Sequence, residues 1–389
     1  MIYRMANLPK LAHFFLLGPR QTGKSSLIQL AFPGEEALYI NLLLSREYTR
    51  FKRDPGLIAQ DVAGRSSSIR YVVIDEVQRI PELLDEVHQI IESPNSPYFV
   101  LTGSSARKLK RAKANLLGGR ARTIELFPLT SFELGDKFVL ERALTFGTLP
   151  KIYLEEQAEE RSALLRAYVD NYLREEIEAE AVVRKLGVFL RFLPLAAETN
   201  GQEINFSKIA RICLTNHNTV KSYYQILEDT LIGRFLWPFV GSTRQQLSKR
   251  PKFYLFDTGV IRAVLGRENS PLRSSTYEFG ALFESWVINE VWRINSYFKK
   301  NLQTFFYRTD DGAEVDLVIV DPNRERYAIE IKSASDVSPA DLGSGFDSLS
   351  AHGALAKRIC VTNGLRPYSA GGVDFLPWSD FFGWLKAKW

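Results

Sequence analysis

Through the first third of the chain, short continuous apolar runs alternate with stretches of helical periodicity. His13 to Leu17 reads as a strand, followed by a glycine-containing loop and a helix from about Lys24. Further strands are predicted near Ala37 to Asn41, over Tyr71 to Ile74 and over Tyr98 to Thr102, with a helix near Glu82 to Ile91. Strands without polar alternation are buried on both faces, so this pattern predicts a parallel sheet covered by helices, an α/β nucleotide-binding layout.

From about Phe132 to Leu236 the spacing becomes helical, with apolar residues three and four apart in Ala163 to Glu180 and in Val220 to Leu231. Lys249 to Lys252 breaks that pattern. The remainder reads as a helix over Phe279 to Val291, strands over Phe305 to Tyr307, Val315 to Val320 and Tyr327 to Ile331, a later helix, and a strand over Arg358 to Thr362. The predicted division is an α/β domain (1–135), a largely helical middle domain (136–250) and an α/β C-terminal domain (251–389).

A length of 389 residues supports this division into more than one core. A net charge of +5 is compatible with a polyanionic partner without demanding one. Two cysteines, Cys213 and Cys360, exclude a disulfide framework and point to a reducing compartment. The four histidines have no ligand spacing. No signal pattern opens the chain, and no apolar run approaches the roughly 18 residues of a membrane span, so a soluble cytoplasmic protein is expected.

The strongest chemical signal is Gly18-Pro19-Arg20-Gln21-Thr22-Gly23-Lys24-Ser25, which fits the Walker A pattern at every defined position, with Ser26 following. The glycines let the backbone wrap phosphates with its N–H groups pointing inward. Lys24 would reach the β- and γ-phosphates of ATP, and Ser25 would help hold Mg²⁺. Tyr71-Val72-Val73-Ile74-Asp75-Glu76 then delivers two carboxylates at a strand's C-terminal edge. There Asp75 would serve the Mg²⁺ shell and Glu76 would polarise the attacking water. In Leu101-Thr102-Gly103-Ser104-Ser105, Thr102 and Ser104 are candidates to orient water or sense the γ-phosphate, against the alternative of a plain turn.

Arg107, Lys108, Lys110, Arg111, Lys113, Arg120 and Arg122 follow with no acidic residue among them. They read as a solvated face, a nucleic-acid-facing loop, or the source of an arginine finger that completes a neighbouring subunit's site. Arg120 is the finger candidate.

The stretches Gly18 to Ser25, Val73-Ile74-Asp75-Glu76-Val77-Gln78 and Leu101 to Arg107 together resemble the AAA-type ATPases of bacteria and archaea that carry a C-terminal domain of unknown function. So do Leu149-Pro150 after Gly147, Tyr168-Val169-Asp170 before Tyr172-Leu173-Arg174, and Phe253-Tyr254-Leu255-Phe256-Asp257-Thr258-Gly259. The resemblance runs over nearly the whole chain. It implies an AAA+-like ATPase, a winged-helix middle, a C-terminal domain similar to the PD-(D/E)xK nucleases, and a homo-oligomeric ring such as a hexamer.

Two segments carry those implications at residue level. Ser207 to Ile212, a turn at Leu214-Thr215-Asn216 and Asn218 to Asp229 read as helix-turn-helix, with His217, Asn218, Lys221 and Gln225 facing outward. Lys249, Arg250 and Lys252 would then touch DNA phosphates from a wing; the alternative is a packing module. In the last third, Glu284 lies in a helix, Asp316 opens an apolar strand, and Glu330-Ile331-Lys332 closes another. Alternation places Glu330 and Lys332 on one face. If the two strands pair around Asp321-Pro322-Asn323, Asp316 and Glu330 come close enough to share a second divalent metal, Mg²⁺ or Mn²⁺. Lys332 would neutralise charge beside it.

The leading expectation is an ATPase acting on branched or broken DNA, with metal-dependent cleavage left open. The alternative is an ATP-dependent assembly switch or scaffold with an inactive nuclease-like domain; a toxin-like nuclease restrained by the ATPase is a third.

Overall fold

The computed structural model describes residues 2–65, 69–104, 117–173, 186–240 and 249–389. The basic residues Arg107, Lys108, Lys110, Arg111 and Lys113, together with Ser105 and Arg174, lie outside the described residues.

The N-terminal domain is built on five parallel strands in the order β2-β3-β4-β1-β5: β1 (His13–Leu17), β2 (Ala37–Asn41), β3 (Tyr71–Asp75), β4 (Tyr98–Gly103) and β5 (Ala121–Glu125). All neighbours run the same way. Phe14 to Leu16, Val72 to Ile74 and Phe99 to Leu101 are buried, as continuous apolar runs require of a sheet covered on both faces. Helix α1 (Lys24–Ala31) leaves β1 directly, and α2 (Leu83–Ile91) links β3 to β4. Because β4 lies between β1 and β3, the loop after β1 and the acids after β3 end up on either side of Gly103. β5 carries Ala-Arg-Thr-Ile-Glu, including Arg122 of the basic run, and was not expected as a strand; its pairing with β1 makes it the edge of the sheet.

The middle segment contains α3 (Leu140–Phe146), then the two helices α4 (Phe206–Ile212) and α5 (His217–Asp229). Asn205 accepts from the Lys208 N–H at 3.0 Å and Asn216 from the Thr219 N–H at 2.9 Å, which caps both starts. Two strands follow, β6 (Gly233–Pro238) and β7 (Lys252–Leu255), paired antiparallel. β6 was expected as helix. Its outer end pairs in parallel with β8 (Gln303–Arg308), which adds the hairpin to the C-terminal sheet.

After α6 (Thr258–Val264) and the long helix α7 (Tyr277–Tyr297), β8 forms an antiparallel meander with β9 (Glu314–Val320) and β10 (Arg326–Lys332). α8 (Gly345–Ser350) leads to β11 (Lys357–Thr362), parallel to β10, and β12 (Tyr368–Ala370) and β13 (Val373–Pro377) complete the edge. The eight strands run β12-β13-β11-β10-β9-β8-β6-β7.

The expected junction at 250/251 therefore cuts a hydrogen-bonded hairpin. It also cuts one continuous core, in which Phe192 and Tyr224 pack with Phe253, Tyr254 and Phe283. Two of the motifs noted in the sequence meet here. Asp257 accepts from the Thr148 N–H at 2.7 Å and caps α6 through the Val260 N–H. Gly147 has φ +71, and a Cβ on it would lie 1.8 Å from the Asp257 carboxylate, so only glycine fits.

Candidate functional site

The loop after β1 is held from several sides. Gly23 has φ 93 and forms the left-handed entry to α1, a conformation that favours glycine. Gly18 lies against the backbone of Leu126, where a Cβ would come within 2.2 Å of the carbonyl oxygen. Pro19 and Thr22 close the turn, the buried Thr22 hydroxyl donating to the Pro19 carbonyl at 2.9 Å. Lys24 is buried and its ammonium reaches back to the carbonyls of Gly18 at 2.8 Å and Pro19 at 3.0 Å. Ser26 is exposed in the first turn of α1, and Gln21 stands at φ 63 in the loop.

Across the sheet edge, Ser25 Oγ donates to Asp75 Oδ2 at 2.7 Å. The Thr102 hydroxyl donates to the other Asp75 oxygen and accepts from the Glu76 N–H at 3.1 Å. Glu76 has φ 61 and ψ 44, left-handed for a residue with a side chain. Thr102 and Ser104, paired as candidates in the sequence, have different partners. Thr102 orients Asp75, whereas Ser104 Oγ accepts from Gln78 Nε2 at 3.0 Å. The residues of the Walker A pattern, both carboxylates and both β4 candidates thus gather at the C-terminal edge of the parallel sheet. Their types fit an ATP·Mg²⁺ complex: a hydroxyl beside a carboxylate, a buried lysine within the loop, and a helix start behind them.

Arg120 lies elsewhere. It precedes β5, whose Ala121 pairs with His13, so it sits at the opposite end of the sheet from Gly18. Its guanidinium pairs with Glu92 at 2.5 Å. It is too far from the loop of its own chain to complete that site. Sequence reasoning missed Arg4, which donates to the Thr22 carbonyl at 2.5 Å, to the Phe127 carbonyl at 2.6 Å and to Glu133 at 3.0 Å. It also missed the Tyr168 hydroxyl, 3.4 Å from the Arg20 carbonyl. Each reaches the loop from a distant segment, so no spacing near Gly18 to Ser25 points to it.

The two strands that carry Asp316 and Glu330 do pair, antiparallel. The β9–β10 register pairs Leu317 with Ile329, which sets Asp316 opposite Glu330. Asp316 Oδ2 accepts from the Ile331 N–H at 2.8 Å, and Glu330 lies 3.4 Å from the Lys332 ammonium. Burial first, and then Asp316, push Glu330 up to about 8, with Lys332 opposing. Burial pushes Glu284 up to about 7 against the pull of Lys252.

Lys252 is a correction to the expected wing contact. Its side chain is only 5% exposed and its ammonium lies 2.7 Å from Glu314 and 3.8 Å from Glu284, inside the acidic cluster instead of out toward DNA. Burial disfavours that charge, but Glu284, Asp316 and Glu314 outweigh it and leave Lys252 above the ordinary lysine range. The Tyr254 hydroxyl donates to Glu284 at 2.6 Å. The donor set is already neutralised by Lys252 and Lys332, and among the described residues no three metal-type side chains converge on one point. No cleavage step follows from these residues.

On the helix pair, His217, Asn218, Lys221 and Gln225 are exposed on α5, as the sequence pattern predicts. Gln225 bonds along its own helix to Glu228 and Asp229, and the Lys221 ammonium lies over the Phe206 ring. Ile212 and Leu214 beside them are 49% and 81% exposed, and Lys249 pairs with Asp310.

Comparison with known proteins agrees with the loop geometry. Residues 12–135 match a family described as AAA domain. The match supports an AAA-type P-loop ATPase. Residues 138–271 and 279–381 match two further families, each described as a domain of unknown function (DUF8612 and DUF4143). These bounds keep the β6–β7 hairpin whole. Uncharacterized proteins of Mycobacterium tuberculosis and Mycobacterium bovis are each 26% identical to this chain, covering 83% of it and 70% of their own length. One from Haemophilus influenzae is 24% identical over 65% of this chain and 69% of its own. Among solved structures, domain III of the Thermotoga maritima replication initiation protein DnaA overlaps 52% of this chain and 84% of its own, at 15% identity and a TM-score of 0.27, too loose to argue from. Among the described residues no helix is long and apolar enough to cross a membrane.

Proposed function

We propose that the chain binds ATP with Mg²⁺ and hydrolyses it, and that turnover drives the middle and C-terminal domains on DNA. The observation that carries the ATPase reading is the continuous chain Ser25–Asp75–Thr102–Glu76 at the sheet edge beside Lys24. Bound Mg²⁺ would supply charge neutralisation on the phosphate oxygens, held through Ser25 and Asp75. The N–H groups of Gln21 to Ser25 cradle the phosphates, and Lys24 swings from the loop carbonyls toward them. Glu76 takes up the proton of the attacking water, and Thr102 keeps Asp75 oriented.

The DNA part rests on the capped α4–α5 pair with its exposed polar face, and on Lys208 and Arg211, which are exposed beside it. Three units are proposed, with the second junction between α6 and α7, so that the hairpin stays with the helix pair. Arg120 is proposed to act toward a second copy in a homo-oligomer. ATP turnover measured with duplex, single-stranded and junction DNA, with Lys24→Ala as blank, tests the proposal. DNA-stimulated turnover that weakens steeply with salt is expected. Turnover indifferent to every DNA would end the DNA reading.

A second reading, the nucleotide-dependent assembly switch, is favoured by the neutralised carboxylate cluster and by the exposed Ile212 and Leu214. ATP-dependent self-association without DNA affinity would select it.

A further inference from the structure

We infer that Gln78 is a positioning residue for Glu76, tying that carboxylate to the end of β4 through Ser104. This rests on the reading of Glu76 as the group that activates water.

Gln78 lies in the short 3-10 turn Val77–Arg79 immediately after β3 and is buried. Its amide nitrogen donates both to the Glu76 carboxylate and to Ser104 Oγ, the latter at 3.0 Å. Its amide oxygen is buried and has no hydrogen-bond partner among the described residues. That oxygen lies 2.5 Å from where a Cβ on Gly103 would stand, so glycine at 103 is what leaves room for the amide.

A residue present only to fill the gap between β3 and β4 would be apolar. It would leave no orphaned oxygen, whose burial without a partner is unfavourable. Here the other half of the same amide meets Glu76 and Ser104. Glu76 is thereby held at two points that both lead to β4: its backbone N–H on the Thr102 hydroxyl and its side chain, through Gln78, on Ser104. Its left-handed backbone is a conformation that persists only where the surroundings enforce it. A primary amide is the donor this place requires. It is neutral, so it fixes the carboxylate without the charge a lysine would bring. It also favours the ionised form, the one able to accept a proton. Any displacement of the end of β4, next to the phosphate loop, is passed to Glu76 by both threads.

The test uses the full chain and steady-state ATP turnover, with ATP affinity measured by calorimetry. Glu76→Gln comes first and should abolish turnover while retaining ATP binding; turnover that persists would remove the water-activation reading itself. Gln78→Leu keeps the bulk and removes the donor. It should lower kcat by ~10–100-fold, the usual effect of losing an orienting partner, with ATP affinity held within about threefold. The acid limb of the kcat–pH profile should move to higher pH, because the carboxylate loses a donor to its ionised form. Gly103→Ala, which crowds the amide from the far side, should move the same limb in the same direction and covers the case of an unstable Gln78→Leu. If Glu76→Gln is inactive but the other two keep the wild-type kcat and pH profile, the inference on Gln78 is overturned and the ATPase reading stands. A kcat loss matched by an equal loss of ATP affinity, with the limb unmoved, also overturns it, since that is the signature of packing alone.

Discussion

Replacing Lys252 by methionine tests the view that a lysine, and not a metal, neutralises the C-terminal carboxylates. Methionine keeps most of the volume and removes the charge from a position within 2.7 Å of Glu314 and 3.8 Å of Glu284. Breaking a fully buried pair costs ~3–5 kcal/mol, chiefly through the charge left behind. Here the two carboxylates keep 30% and 24% exposure. Solvent screening therefore reduces the expected loss at neutral pH to roughly 2–3 kcal/mol. With a urea dependence of about 2 kcal/mol per molar, the unfolding midpoint should fall by roughly 1–1.5 M. Intrinsic fluorescence suits the assay. All six tryptophans, Trp237, Trp286, Trp292, Trp378, Trp384 and Trp389, lie in the last 153 residues, 237 to 389, so the signal reports this region and not the ATPase domain. The loss should shrink toward pH 5, where protonation of Glu284 removes part of the repulsion that Lys252 held in check. Mn²⁺, followed by its paramagnetic resonance signal in the absence of nucleotide, should not bind the wild-type cluster. A wild-type site that binds Mn²⁺ and loses it in Asp316→Asn would refute the reasoning, as would a Lys252→Met midpoint equal to wild type.

Thr102→Val removes the hydroxyl that orients Asp75 and holds the Glu76 N–H; ATP turnover should fall by ~10–100-fold in a kinetic assay, with the fold intact. Arg120→Ala should leave ATP affinity unchanged but remove turnover that depends on protein concentration. Restored turnover on mixing it with Lys24→Ala would confirm action between copies, and undiminished turnover in the single variant would exclude it. Glu284 and Glu330 have folded pKa values raised to about 7 and about 8. The folded state thus binds more protons than the unfolded one, and stability should rise as pH falls from about 8 toward 5, measured by urea titration across that range.

What the sequence discloses and what it conceals follow the range of the interactions involved. The strands β1, β3 and β4 are legible because burial on both faces writes an apolar run into each, and the phosphate loop because its glycines, lysine and serine are contiguous. Asp316 and Glu330 are legible because one antiparallel turn relates them. β5 is not, since Ala-Arg-Thr-Ile-Glu has neither an apolar run nor alternation and acquires its strand character from β1. Lys252 reads as a basic wing residue because its neighbours in sequence are Lys249 and Arg250. Only the pairing of β6 with β8 carries it into contact with Glu314, far along the chain. Arg4 is a lone arginine near the terminus until the fold brings Thr22, Phe127 and Glu133 around it.

Helix α7 runs from the C-terminal carboxylate cluster to the phosphate-loop domain. Glu284 near its start accepts from Tyr254 and faces Lys252, while at its end the Tyr297 oxygen accepts from Arg4 at 3.2 Å and from the Phe127 N–H at 3.0 Å. The 13 residue steps from one to the other span about 20 Å of helix. Midway, buried Arg293 pairs with Glu290 at 2.9 Å and donates to the carbonyls of Leu129 and Phe256, while Glu290 accepts from Ser131. A buried pair of this kind adds little to stability relative to an apolar one, but it is intolerant of displacement, because any shift uncovers a charge. Arg4 also holds the Thr22 carbonyl. Arg4 therefore links the phosphate loop to the end of α7 by direct contact. At the other end of the same helix Glu284 faces Lys252, so α7 carries contacts to the phosphate loop and to the carboxylate cluster at its two ends.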